Sequence, residues 1–94
     1  MFIEVIGRRS LPDDVDRDDV EDLLTAVLGA DGEVTGAGVG IGGWNLDVEL
    51  AVDDGAATGV VSRLAVALVE QGLGWVELRP EGEGTGMPAQ SLVE

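Results

Sequence analysis

Apolar positions along this chain keep two different periods, and the changes between them mark its elements. Phe2-Ile3-Glu4-Val5-Ile6 is a short β-branched run closed by Gly7, which predicts a first strand. From about Asp13 to Leu28 the period lengthens. Val20, Leu23, Leu24, Val27 and Leu28 follow the i, i+3, i+4, i+7, i+8 spacing of a helix with one buried stripe. Pro12 suits the approach to that helix, the acids after it suit the positive end of the helix dipole, and Gly29 suits a left-handed stop. The period then shortens to two. Thr35, Ala37, Val39 and Ile41 alternate with Gly36, Gly38 and Gly40, and Gly42-Gly43 marks a hairpin turn or a bulge. Beyond it Trp44, Leu46, Val48, Leu50 and Val52 alternate with Asn45, Asp47, Glu49 and Ala51, the pattern of a strand with one dry and one wet face. Asp53-Asp54-Gly55 leads into a second helix, about Ala56 to Gln71, stopped by Gly72. Trp75 to Arg79 reads as a last strand ended by Pro80.

The resulting order is strand, helix, strand, hairpin, strand, helix, strand: an α+β chain built as βαββαβ. This order resembles the split βαβ, or ferredoxin-like, arrangement. That resemblance covers residues 1–80. It implies a two-layer sandwich with a four-stranded antiparallel sheet in the order 4-1-3-2, right-handed crossovers, and both helices on one face. Residues 81–94, rich in glycine, are expected to form a flexible tail.

Composition adds limits. A chain of 94 residues makes one domain with a thin core, and with only Phe2, Trp44 and Trp75 as aromatics that core must be aliphatic. The absence of cysteine removes disulfides and thiolate metal sites, and no apolar run is long enough to cross a membrane. With no basic-then-apolar segment at the amino end, the expected location is the cytoplasm.

Charge changes the picture most. Nineteen acids oppose five arginines, with no lysine and no histidine, for a formal charge of −14. Such a chain repels phosphate backbones and anionic lipid, so neither nucleic acid nor membrane is an expected partner. A basic protein would be drawn to it. The same composition is also what a GC-rich genome or a salt-rich cytoplasm produces, and composition alone leaves both readings open.

The alternation assigns the two faces of the sheet. Ile3, Val5, Val39, Ile41, Leu46, Val48, Leu50, Val76 and Leu78 are expected under the helices. Phe2, Glu4, Ile6, the strand-two glycines, Asn45, Asp47, Glu49, Trp75, Glu77 and Arg79 are expected on the uncovered face. Trp44 falls on either side, depending on whether the Gly42-Gly43 turn holds a bulge. An uncovered face carrying Glu4, Asp47, Glu49, Trp75 and Glu77 beside Phe2 and Ile6 is a candidate contact surface. Three glycines in one strand weaken it, which points either to a close approach by another backbone or to a flexible edge hairpin open to strand addition.

A second candidate is the acidic run Asp13, Asp14, Asp16, Asp18, Asp19, Glu21 and Asp22: seven carboxylates in ten residues. Helix-dipole complementarity offers about 0.3–1 kcal/mol per acid and fades within a turn, which accounts for two or three of them. The others repel one another unless salt or a basic partner intervenes. The second helix is apolar on more than one side, which suggests a further apolar neighbour, such as a second copy in a homodimer.

Catalytic and cofactor motifs fail on inspection. Gly38-Val39-Gly40-Ile41-Gly42-Gly43 spells G-x-G-x-x-G but runs into a strand, whereas pyrophosphate binding needs a helix start there. Asp14, Asp16 and Asp18 have calcium-loop spacing, but Asp19 stands where glycine is required and Thr25 where glutamate is. Without His, Cys, Lys or Tyr the usual bases and nucleophiles are missing, and a pair such as Asp47 and Glu49 arises on any wet strand. No catalytic, metal or cofactor site is therefore expected. In size and charge the chain is similar to small acidic immunity proteins, which neutralise bacterial toxins. That resemblance implies a non-enzymatic interaction domain or inhibitor that blocks a basic partner. In element order it also resembles ACT-type modules, which would imply a homodimeric, small-molecule-binding regulator.

Overall fold

A computed structural model describes residues 1–40 and 43–93. Among the described residues the elements run β1 (Phe2–Gly7), α1 (Arg17–Leu28), a single 3-10 turn (Gly29–Asp31), β2 (Gly32–Gly40), β3 (Gly43–Leu50), α2 (Asp54–Glu70), β4 (Glu77–Pro80), β5 (Met87–Pro88) and α3 (Ala89–Leu92). The chain is α+β with one antiparallel sheet ordered β2-β3-β1-β4-β5. The first four strands stand in the expected order 4-1-3-2. The expectation of four strands and two helices is corrected by β5, which adds to the β4 edge, and by α3.

The two long helices, α1 and α2, each begin where a carboxylate caps them. Asp16 Oδ1 accepts from the Asp19 amide at 2.9 Å, and Asp19 Oδ2 accepts from the Asp16 amide at 3.1 Å, a reciprocal capping box. This cap starts α1 at Arg17 rather than near Asp13, leaving Asp13 and Asp14 in a turn closed by Val15 N–H donating to Pro12 O. Asp53 caps α2 in the same way, through the Ala56 amide, and sets its start two residues earlier than expected. Gly29, at φ 53°, ends α1 in a backbone conformation that side chains disfavour.

The core is one aliphatic layer between sheet and helices. Ile3, Val5, Leu46, Val48, Leu50 and Leu78 on the sheet meet Val20, Leu24 and Leu28 of α1 and Val60, Leu64 and Leu68 of α2, all buried. Burial of each such side chain is worth about 1.5–3 kcal/mol, so the period-two and period-3.6 stripes read in the sequence are what hold the layers together. Val76 is buried with them as expected, although it precedes β4. Ile41 lies outside the described residues.

Val39 lies on the expected helix-facing side but is not covered there: it is 77% exposed. It sits on the edge strand opposite Trp44, near the hairpin end, where the polar first turn of α1 offers no apolar cover. The ladder between β2 and β3 shifts between Val34 and Gly36, so Thr35 is a bulge residue. The extra residue brings Val34 opposite Val48, half-buried, and keeps Gly36 and Gly38 on the far face, opposite Asp47 and Asn45.

The carboxyl-terminal segment does not trail from the domain. Met87–Pro88 pairs with β4, Ala89 N–H donates to Val76 O at 2.8 Å, and Gln90 N–H donates to Gly74 O at 2.9 Å. Ala89 is fully buried, Leu92 and Val93 pack on the core, and α3 lies against α2. Part of the apolar surplus of α2 therefore has a recipient within the same chain, while Val66 and Val69 stay exposed.

Candidate functional site

The acidic run surrounds the start of α1. Asp16 and Asp19 are engaged in the capping box; Asp13, Asp14, Asp18 and Asp22 are exposed, and Glu21 is half-buried. Among the described residues none of the seven forms an ion pair, because the arginines are engaged elsewhere. Arg8 pairs with Glu77, Arg63 with Asp31 and Arg79 with Glu4. The guanidinium of Arg9 stacks 4.3 Å over the Trp75 ring. Arg17, the one cation inside the run, donates to Gly38 O of β2 at 3.5 Å. The start of α1 is thus a concentrated negative surface in which Arg17 is the single cation and, among the described residues, no ion pair forms.

Two hollows flank it. On one side Asp14, Asp19, Asp22 and Gln71 rim a hollow of about 500 Å³ floored by Val15, Val20, Leu23 and Leu73. On the other, Asp16, Arg17 and Asp18 border a depression of about 310 Å³ with Val39 and Trp44. Carboxylates and apolar surface therefore lie side by side, an arrangement that attracts a cation and can bury the side chain next to it.

The uncovered sheet face gathers Glu4, Asp47, Glu49 and Glu77, as the alternation implied, together with Phe2 at 50% exposure. Here Glu4, Asp47 and Glu77 are tied into the fold, while Glu49 is exposed and, among the described residues, has no side-chain hydrogen bond or ion pair. Arg79 Nη2 and Nε donate to Glu4 Oε1 at 2.7 and 3.0 Å, and Arg8 Nε donates to Glu77 Oε2 at 3.1 Å. Phe2 N–H donates to the Glu81 carboxylate at 3.0 Å. Phe2, Glu4, Thr35, Asp47, Arg79 and Glu81 line a shallow depression of about 390 Å³. The glycine stripe has a local cause. A Cβ on Gly38 would lie 2.6 Å from Asn45 Oδ1, and one on Gly36 would lie 3.0 Å from Asp47 Oδ2. The glycines form the floor on which these two β3 side chains lie, linked by Asn45 Nδ2 donating to Asp47 Oδ1 at 3.3 Å.

Trp75 is not part of that face. It lies in the turn before β4, half-buried, with its ring edge-on to Trp44 at 6.5 Å between centroids and an interplanar angle of 79°. The expectation failed because the strand begins at Glu77, so the alternation does not extend back to Trp75. Trp44 faces the helix side and is 9% exposed; its Nε1 donates to Arg9 O at 3.2 Å. Its indole rests on Gly7, where a Cβ would come within 2.0 Å of the ring. The clasp of Arg9, Trp75 and Trp44 was not read from the sequence. Its only trace there is a glycine closing the first strand, where a bulky ring must cross.

Among the described residues no three carboxylates converge in a group able to hold a metal ion, and no helix is long and apolar enough to cross a membrane. Asp14, Asp16 and Asp18 keep calcium-loop spacing only along the chain, since Asp16 is turned into the helix cap. No family model, curated protein or solved structure matches this chain.

Proposed function

We propose that this chain is a non-enzymatic, acidic protein-interaction domain of ferredoxin-like design, extended by β5 and α3. It docks a basic protein through the start of α1, in the manner of an immunity protein or inhibitor. One observation carries the reading: seven carboxylates crowd the start of α1, two serve the cap, and every arginine is engaged without forming an ion pair with any of them. Mutual repulsion there costs stability that a cationic partner would recover, and the field speeds encounter with it. The alternative, an ACT-like homodimeric regulator, draws less support, because α3 already lies against α2 and two copies of charge −14 repel.

The test is capture from a lysate of the encoding organism on the immobilised wild-type chain and on an Asp13→Asn, Asp14→Asn, Asp18→Asn, Asp22→Asn variant. The expected result is a basic protein retained by the wild type, released by added salt and lost from the variant. Equal retention by both, or retention indifferent to salt, would refute the reading.

A further inference from the structure

The hollow between the start of α1 and the connection from α2 to β4 has a floor and a rim of different chemistry. Val15 and Leu23, half-buried, give it accessible apolar surface backed by the buried Val20 and Leu73, and Asp14, Asp19 and Asp22 stand around it. At about 500 Å³ it has the volume of a ligand-binding cleft, roughly 300–1,000 Å³, but is half open to solvent, a form suited to one side chain of a larger partner. We infer that this hollow seats one aliphatic side chain of a partner segment in which arginines flank that side chain, the guanidinium groups meeting Asp14, Asp19 and Asp22. The inference rests on the reading that the start of α1 docks a basic protein, and adds the anchor residue and the place where it enters.

Charge selects this occupant. A purely apolar segment would leave three carboxylates facing a drying interface, which is costly without cations beside them. A second copy of this chain would bring further acids, since its own arginines are engaged within its fold. Nucleic acid would present phosphates to the same rim. Arginines around an aliphatic residue satisfy both floor and rim, and guanidinium groups match carboxylates geometrically.

Fluorescence anisotropy with two labelled peptides tests it: one carries a leucine flanked on both sides by arginines, the other a serine in place of that leucine at equal charge. Each is titrated with the wild type, with Gln71→Trp, and with an Asp14→Asn, Asp22→Asn variant. Gln71 is exposed on the rim, so a tryptophan there obstructs the mouth of the hollow without altering charge. The wild type is expected to bind the leucine peptide about tenfold more tightly than the serine peptide, the effect of burying one aliphatic side chain. Gln71→Trp should erase that difference and leave the weaker, salt-sensitive binding. The double Asn variant should weaken both peptides. Equal binding of the two peptides, or a preference that survives Gln71→Trp, overturns the hollow as the anchor site while the acidic docking surface stands. Binding of both peptides unaltered in the double Asn variant, or no binding by the wild type, overturns the docking surface and the hollow with it.

Discussion

Two surfaces of this molecule are acidic, and they are acidic in different ways. On the uncovered face of the sheet, Glu4 and Glu77 each hold an arginine and Asp47 accepts from Asn45, while Glu49 stays exposed, so two of the four charges are answered by cations within the fold. At the start of α1, seven carboxylates surround the single Arg17 and form no ion pair among the described residues, and only Asp16 and Asp19 serve the helix. The sheet face uses acids as structural parts of a polar network. The helix start keeps acids that the fold does not need. Net charge alone does not distinguish these cases; where the few arginines go does.

If the start of α1 is held by its apolar stripe rather than by its charge, removing that stripe should be the most damaging change there. Leu24 is fully buried, so Leu24→Ala is expected to lower unfolding free energy by about 2–5 kcal/mol, read from chemical denaturation. Next comes the cap. Asp16→Ala removes half of the capping box and should cost about 1 kcal/mol, visible as lost helical ellipticity and a lower melting temperature. On the sheet face, Arg79→Gln leaves Glu4 without its cation. Because the pair is partly exposed, the cost should be at most about 1 kcal/mol. The smallest effect reverses sign. Asp18 and Asp22 are like charges one turn apart on α1, so Asp22→Asn should stabilise by roughly 0.2–0.5 kcal/mol at low salt, and the gain should fade as salt is raised. A loss of stability from Asp22→Asn larger than that from Arg79→Gln would break the contrast between the two surfaces.

Much of the frame was legible because its signals are periodic and long. Val20, Leu24 and Leu28 declare α1, and Leu46, Val48 and Leu50 declare the dry face of β3; all six are buried. Gly29 and Gly72 mark helix ends and adopt the positive φ those ends require. What escaped is what periodicity does not encode. Thr35 bulges out of register, and glycines and an alanine around it give no apolar stripe that would reveal the shift. Trp75 was grouped with a strand that starts two residues later, because an aromatic beside Val76 mimics strand alternation. Residues 87–92 are too short for any period to appear, so glycine before them suggests a loose tail, while Ala89, the first residue of α3, is fully buried. The acidic run was visible from the residues themselves. Its lack of ion pairs was not, because that depends on Arg9 stacking on Trp75 and Arg17 reaching β2, contacts made only by the folded chain.

The central claim is that the helix start, and not the sheet face, receives a basic partner. Its most direct test is a titration of the ¹⁵N-labelled protein with an arginine-rich peptide, followed by amide chemical shifts. The account predicts shifts concentrated between Asp13 and Leu23 and at Gln71–Leu73, with the amides of Glu4, Asp47 and Glu77 left in place. Movement centred on β1, β3 and β4, with α1 unchanged, would contradict it.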